Sequence, residues 1–283
     1  MRAGRGVDVE VAGPDGPIGA IDWGGTGPPI LLLHGGGANA AGWAPVVPHL
    51  AGRHRCISFD SYGHGRTPAR QPSFEAFLDE IDAVIGHFGL PREELALVGS
   101  SFGGALAVWY GSVRPGVRAI VGVDSAPTTE HMGPWPPPTR ADRTPDQWRA
   151  AGWGWSGDET AYEAHVAALV ADGEPELSAR RAHQLGPDGR FHTRPDPEFL
   201  TALSVLGSRP DNPVVRVDNY ARLRCPALML CATYGNAATN REFVDEMPQR
   251  FPMVSVVWLE GPHALDWHCP DVVARHVRKF LAR

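Results

Sequence analysis

Several features typical of secreted or membrane proteins are scarce in this sequence. The chain has 283 residues and only four cysteines, none in a CxxC pair, so we expect reduced thiols rather than a disulfide framework. No apolar run approaches the roughly 20 residues that a membrane helix requires. The first residues include arginine but no apolar stretch of the kind found in secretory signals. We therefore predict a cytoplasmic protein that does not associate with membranes.

Strong charge of one sign is also missing. The formal net charge is −6, with acidic and basic residues interspersed, so nucleic acid is not an expected partner. His263, His268 and Cys269 lie close together, but their spacing matches no common set of metal ligands and no second cluster completes one. We predict neither a metal nor another cofactor.

The chain does contain a sequence pattern typical of a nucleophile. Residues 95–105 read LALVGSSFGGA, in which a short apolar run meets Gly99-Ser-Ser-Phe-Gly103 and a helical pattern follows at once. This is G-x-S-x-G between a predicted strand and a predicted helix, the context that gives the motif meaning. We expect the sharp turn to hold the hydroxyl of Ser101 out at the edge of a sheet.

A second glycine-rich segment follows an earlier apolar run. Residues 30–33 are Ile-Leu-Leu-Leu, as in a strand buried on both faces, and His34 and three glycines come next. Consecutive glycines allow backbone N–H groups to point into open space. We predict that the N–H groups of Gly36 and Phe102 form an oxyanion hole, and that His34 braces the loop rather than acting as a base.

Together these segments resemble the α/β-hydrolase superfamily. The resemblance rests on HGGG at 34–37, on D-x-x-G-H-G-R-T at 60–67 and on GSSFGG at 99–104, and it covers nearly the whole chain. It implies an α/β fold with a mostly parallel, twisted sheet flanked by helices. Asp60 and His64 are usually structural in that family. A recurrence of apolar residues at helical spacing over 74–88 fits one of the flanking helices.

The composition changes between residues 128 and 216. This stretch contains Pro136-Pro-Pro138 and a concentration of tryptophans, and helical periodicity returns after residue 162 and after Asp196-Pro197. We predict a core of residues 1–127 and 217–283 with an inserted helical cap of residues 128–216. Aromatic residues in a cap often line the substrate pocket, so Trp135, Trp153 and Trp155 are predicted to contact substrate. Trp267, four residues after His263, is predicted to do so as well.

The resemblance implies a histidine base in the loop after the last strand, and His263 stands there, after the predicted strand 254–259. The usual acid is missing from the turn after the penultimate predicted strand, where Asn236 stands. Asp124 follows the predicted strand 119–123 and would share a sheet edge with Ser101; some haloalkane dehalogenases and zearalenone-type lactonases are similar in this placement. Asp124 is the predicted acid, with Asn236 or an inactive site as alternatives.

The predicted function is that of a serine hydrolase. Ser101, His263 and Asp124 would cleave a carboxylic ester or a lactone of a small, apolar or aromatic substrate through an acyl-enzyme. One alternative is hydrolysis of a carbon–carbon bond, because HGGG and Trp267 are similar to the meta-cleavage-product hydrolases. Another is a non-hydrolytic ligand-binding protein, which the missing usual acid would suit. The sequence is also compatible with a homodimer.

Overall fold

The structure is a computed structural model that describes residues 6–127 and 143–283. Its strands are β1 (Val7–Gly13), β2 (Gly16–Gly24), β3 (Pro29–Leu33), β4 (Arg55–Phe59), β5 (Ala96–Ser100), β6 (Ala119–Val123), β7 (Ser156–Gly157), β8 (His183–Leu185), β9 (Phe191–Thr193), β10 (Ala227–Tyr234) and β11 (Val254–Pro262). Its α-helices are α1 (Val47–Leu50), α2 (Phe74–His87), α3 (Phe102–Val113), α4 (Pro145–Ala150), α5 (Glu159–Ala171), α6 (Glu176–Arg181), α7 (Pro197–Gly207), α8 (Asp218–Arg222), α9 (Arg241–Arg250), α10 (Leu265–His268) and α11 (Pro270–Leu281). Two 3₁₀ turns occupy Ala40–Trp43 and Ala237–Asn240.

Eight strands form one sheet in the order β1-β2-β4-β3-β5-β6-β10-β11. The hairpin β1–β2 and the pair β2–β4 are antiparallel, and every other neighbouring pair is parallel. The prediction of a mostly parallel sheet is confirmed. The last strand is longer than predicted and ends at Pro262, directly before His263.

The sheet is buried on both faces, which explains its continuous apolar strands. Along β3, Leu31 and Leu33 pack into one apolar cluster while Ile30 and Leu32 pack into the other. Successive side chains of a strand point to opposite faces, so both faces demand apolar residues. Helices α2, α3, α8 and α9 contribute to the first cluster, whereas α1 and α11 contribute to the second.

The strand order places the carboxyl ends of six strands side by side. The strands β4, β3, β5, β6, β10 and β11 are parallel neighbours, so these ends lie at one edge. The chain order reverses at β3, whose neighbours are β4 and β5. Open α/β sheets bind ligands in the crevice at such a switch point, outside the carboxyl ends of the strands.

The described part of the predicted cap, residues 143–216, is called the cap segment below. It contains helices α4 to α7, and also a small antiparallel sheet in the order β7-β9-β8 that the sequence did not predict. These strands have two or three residues each, too few to show an alternating pattern. The cap segment is therefore not purely helical. Its boundaries stay a prediction, since residues 128–142 lie outside the described residues.

Helix α6 joins the cap segment to the core through buried polar contacts. The guanidinium of Arg181 donates to the carboxylate of Asp60 at 2.8 Å, and it also pairs with Asp8 on β1. The amide of Asn39 donates to the backbone oxygen of Ser178 at 3.0 Å. Asp60 in turn accepts the backbone N–H of Ala40. One helix of the cap segment thus holds the chain just after the glycine-rich loop.

Candidate active site

The candidate nucleophile lies between β5 and α3. Ser101 has φ 50° and ψ −118°, a conformation that is costly for a residue with a side chain. The positions two residues before and after Ser101 must be glycine. A Cβ on Gly99 would lie 2.2 Å from the carbonyl oxygen of Gly103, and one on Gly103 would lie 2.4 Å from that of Leu33. The strain persists because the strand, the helix and the loop after β3 all pack closely around the turn.

The structure brings the three predicted catalytic side chains together. His263 Nε2 lies 2.9 Å from Ser101 Oγ, and His263 Nδ1 lies 2.5 Å from Asp124 Oδ2. The side chain of Asp124 is fully buried, whereas that of His263 is 39% exposed. A hydroxyl, an imidazole and a carboxylate are therefore linked in series.

Asp124 is held by backbone groups rather than by a cation. Its Oδ1 accepts the N–H of Ala232 at 2.9 Å, and its Oδ2 accepts the N–H of Asn236 at 2.8 Å. Hydrogen bonds from N–H groups to a carboxylate are stronger than neutral ones and compensate its burial. Asp124 has φ 44°, so it and Ser101 are the two residues other than glycine with positive φ within 6–127 and 143–283.

Asn236, the alternative to Asp124, is placed differently from an orienting acid. Its side-chain amide lies 3.4 Å from His263 Nε2, the nitrogen that faces Ser101, and not at Nδ1. Asn236 contributes its backbone N–H, which donates to Asp124 Oδ2. The neighbouring Gly235 leaves room for the acid, since a Cβ there would lie 2.1 Å from Asp124 Oδ2.

The glycine-rich loop after β3 lies against Ser101. A Cβ on Gly35 would lie 3.3 Å from Ser101 Cβ, and one on Gly36 would lie 4.0 Å from Phe102 Cβ. Phe102 is the first residue of α3, where the backbone N–H has no acceptor within the helix. Across the described ranges no backbone or side-chain acceptor takes the N–H of Gly36. Within the described residues neither predicted donor has a backbone acceptor, and the oxyanion hole stays a prediction.

Two neutral histidines support this loop. Burial lowers the pKa of His34 to about 4 and that of His64 to about 3. His64 Nε2 accepts the N–H of Gly37 at 3.3 Å, while His34 Nδ1 lies 2.8 Å from the carbonyl oxygen of Gly35. These contacts engage both rings in holding the backbone.

The four tryptophans predicted to contact substrate lie in different surroundings. Trp153 packs against Gly37, where a Cβ would meet its ring at 2.5 Å, so it adjoins the glycine-rich loop. Trp267 donates its indole N–H to the carbonyl oxygen of Gly42 at 3.1 Å. Trp155 stacks on His165, within the cap segment, at 4.4 Å between ring centroids. Trp135 lies outside the described residues. A substrate role for any of them stays a prediction.

Sequence reasoning did not single out two buried contributors to this region. Arg181 reaches Asp60 across more than a hundred residues of chain, and Asp266 accepts a hydrogen bond from Ser100. No motif marks either residue, and only burial of a charged side chain beside the site would have signalled them.

The described residues contain neither a cluster of metal ligands nor a membrane-spanning helix. No group of three or more His, Cys, Asp and Glu side chains within 6–127 and 143–283 is arranged to hold a metal ion. In the same part of the chain, no helix has the length and apolarity needed to cross a membrane.

The sequence is similar to known proteins over part of its length. The chain is 36% identical over 87 residues to the proline iminopeptidase PfmaB of Pestalotiopsis fici, covering 29% of this chain and 31% of that protein. It is 34% identical over 116 residues to the pimeloyl-[acyl-carrier protein] methyl ester esterase of Aeromonas hydrophila, covering 40% and 43%. The chain thus spans less than half the length of these curated relatives.

A solved structure matches over the whole length. That of E-2-(acetamidomethylene)succinate hydrolase covers 99% of this chain and 100% of its own, with a TM-score of 0.76 and 20% identity, which speaks for the fold alone. The family model described as alpha/beta hydrolase fold matches residues 28–261. Because that match spans more than half of the chain and agrees with the sheet and its loops, the protein belongs to the α/β-hydrolase family.

Proposed function

We propose that this protein is a serine hydrolase that cleaves a carboxylic ester or a lactone through an acyl-enzyme. The observation that carries the proposal is the linked series of Ser101, His263 and Asp124, with contacts of 2.9 and 2.5 Å. The esterase named among its relatives supports the reaction class. A serine hydroxyl becomes a useful nucleophile when a base accepts its proton, and His263 is within reach.

The first half of the reaction acylates Ser101. The oxygen of Ser101 attacks the carbonyl carbon of the substrate while His263 Nε2 takes the hydroxyl proton. The negative charge that develops on the carbonyl oxygen is stabilised by the N–H groups of Gly36 and Phe102. When the intermediate collapses, the bond to the leaving oxygen breaks and His263 returns its proton to that oxygen. A lactone reacts identically, except that its alcohol stays attached to the acyl group.

The second half releases the acid. A water molecule gives a proton to His263 and attacks the acyl carbon, and the same two N–H groups stabilise the charge. Collapse of this second intermediate expels the oxygen of Ser101, which regains its proton from His263. Water is the only co-reactant, and no cofactor is needed for either step.

Asp124 is the orienting acid in this proposal. A carboxylate at Nδ1 favours the tautomer with its proton on Nδ1 and leaves Nε2 free to accept the proton of Ser101. Its negative charge also stabilises the imidazolium that forms. The amide of Asn236 lies on the other side of the ring, which favours Asp124 over Asn236.

Surroundings of the loop support an apolar or aromatic substrate of small size. The ring of Trp153 lies on Gly37, the residue after Gly36, and Phe102 carries the other predicted donor. Aromatic side chains at this position would contact the acyl or aryl part of a substrate while its carbonyl oxygen binds the donors.

The two alternative functions receive less support. Carbon–carbon bond hydrolysis rests on HGGG at 34–37 and on Trp267, whose indole N–H is bonded to the carbonyl oxygen of Gly42. A non-hydrolytic role was suggested by the missing acid, a gap that Asp124 would fill. We therefore retain ester or lactone hydrolysis.

Hydrolysis of p-nitrophenyl acetate, p-nitrophenyl butyrate and dihydrocoumarin tests the proposal. We expect the intact protein to turn over at least one of them, and Ser101→Ala and His263→Ala to lower kcat/KM at least about 10³-fold. Ser125→Ala is the matched control, because Ser125 adjoins Asp124 in sequence and its buried hydroxyl has no hydrogen-bond partner among residues 6–127 and 143–283. Equal rates for Ser101→Ala and the intact protein, or hydrolysis of a vinylogous diketone in place of all three substrates, would overturn the proposal.

A further inference from the structure

A second buried acid lies close to the candidate triad. Asp266 is three residues after His263, in the short helix α10, and is 7% exposed. Burying a carboxyl group costs free energy unless it is compensated, so an acid in this position calls for a physical reason. The reaction described above leaves this acid without a role.

Asp266 is connected to the segment that carries Ser101 by a hydrogen bond, and to His263 by its position in the chain. The hydroxyl of Ser100 donates to Asp266 Oδ1 at 3.2 Å, and Ser100 is itself buried. Ser100 directly precedes Ser101, while Asp266 lies three residues after His263, in the first turn of α10. One hydrogen bond therefore links the segment of the nucleophile to the segment of the base.

The charges around Asp266 interact with each other. Burial raises its pKa to about 6, while the hydrogen bond from Ser100 and the charge of His263 lower it and the charge of Asp124 raises it. Such coupling is mutual: if charged His263 stabilises ionised Asp266, then ionised Asp266 stabilises charged His263.

The elements packed against α10 are β11, α11 and the 3₁₀ turn Ala40–Trp43, of which the 3₁₀ turn has no titratable side chain. The titratable or charged side chains of the other two are Glu260 on β11 and Asp271, Arg275, His276, Arg278 and Lys279 on α11. At the junction with α11, the pKa of the Cys269 thiol is raised mainly by burial and partly by Asp271 and Asp266. His263 follows β11, and its charge is among those that act on Asp266.

We propose that Asp266 is a positioning residue, a second carboxylate that acts through His263 and stabilises the imidazolium formed when Ser101 attacks. This inference rests on the proposed function. A charged positioning residue differs from a residue that only packs in how activity depends on pH. A residue that only fills space changes activity equally at every pH, whereas a nearby charge also moves the pH at which the base loses activity.

The test is the pH profile of kcat/KM for p-nitrophenyl butyrate in the variant Asp266→Asn. Asparagine keeps an oxygen acceptor for Ser100 and removes the charge. The acid limb of this profile is the fall in activity at low pH as His263 becomes protonated. Since the imidazolium loses a stabilising neighbour in the variant, we expect the acid limb to move by roughly 0.5 to 1 pH unit toward lower pH. At the plateau we expect kcat/KM to fall about 5- to 20-fold, because the transition state contains the imidazolium.

Asp271→Asn is the matched control. It removes the same charge five residues along the chain, from an exposed side chain paired with Arg275, and should leave the limb unmoved. If Asp266→Asn does not fold, as judged by circular dichroism, Asp266→Ser removes the same charge and the same shift is expected.

An acid limb of Asp266→Asn that coincides with that of the intact protein, or an equal shift in Asp271→Asn, would overturn this inference alone. Absence of hydrolysis by the intact protein, or hydrolysis that survives Ser101→Ala, would overturn the proposed function and the inference with it. The two failures are therefore distinguishable in one set of assays.

Discussion

The sheet edge that carries Ser101 and the cap segment are held together in different ways. At the sheet edge, parallel strands buried on both faces fix the backbone, and hydrogen bonds from backbone N–H groups hold Asp124. In the cap segment, short helices depend on side-chain caps such as Asp158 and Asp196 and on exposed ion pairs. Its apolar cluster is small and centres on Tyr162, Val166 and Ala179.

This difference separates chemistry from specificity. The sheet edge holds a strained serine and a strained aspartate in place, which only a rigid surrounding can do. The cap segment has fewer buried contacts, and such regions change shape and sequence at lower cost. We expect the reaction to depend on the edge and the choice of substrate to depend on the cap.

The largest expected effect tests the sheet edge. Asp124→Asn should lower kcat/KM about 10³- to 10⁴-fold, because the amide cannot stabilise the imidazolium and favours the wrong tautomer. Asn236→Ala keeps the backbone N–H that Asp124 accepts and should cost less than about 10-fold. Steady-state assays on p-nitrophenyl butyrate measure both. The reverse order of effects would assign the acid's role to Asn236.

The next effect tests how the cap segment is attached. Arg181→Met removes the cation from the fully buried Asp60, and breaking a buried pair in this way typically costs about 3 to 5 kcal/mol of unfolding free energy. Urea denaturation followed by tryptophan fluorescence measures it. Arg180→Met, at a neighbouring exposed position, should leave the midpoint nearly unchanged. Equal destabilisation by both variants would mean that exposed pairs hold the cap as firmly as the buried one.

A smaller effect concerns the stability cost of Asp266. Its pKa is about 6 in the folded protein against 3.8 for an ordinary aspartate, so the folded state binds more protons between these values. Stability should therefore fall as the pH rises through this window. The free energy of unfolding of Asp266→Asn relative to the intact protein should rise by roughly 2 to 3 kcal/mol between about pH 3.5 and about pH 8. A constant difference, measured by urea denaturation at both pH values, would contradict this.

The smallest effect concerns the space around Asp124. Gly235→Ala introduces a Cβ that would lie 2.1 Å from the carboxylate, so the acid must shift and kcat/KM should fall about 10- to 100-fold. Gly86→Ala is the control, because it lies in an exposed part of α2 with no atom within 4 Å of the new Cβ. Unchanged activity of Gly235→Ala would show that the exact placement of Asp124 matters little.

Much of the sheet edge could be predicted because its determinants are local. The glycines around Ser101 and the apolar strands mark the turn and the fold, and that fold is confirmed. The position of Asp124 followed from one topological rule, that parallel strands share an edge. The backbone donors at Ala232 and Asn236 were not predictable, since every residue except proline carries an N–H.

The cap segment was less predictable for the opposite reason. Its strands are too short to alternate, and its attachment depends on Arg181 and Asp60, which are distant in sequence. Asp266 illustrates the same limit within the core. By sequence it looks like any acid in the first turn of a helix, and only its burial beside Ser100 distinguishes it.

The most direct test of the account is labelling with a fluorophosphonate, read as intact mass and located by peptide mapping. A serine activated by His263 and Asp124 should take up one phosphonyl group per chain on Ser101, slowly in Asp124→Asn and not at all in Ser101→Ala. An intact protein that stays unlabelled, or a Ser101→Ala variant that is still labelled, would contradict the account.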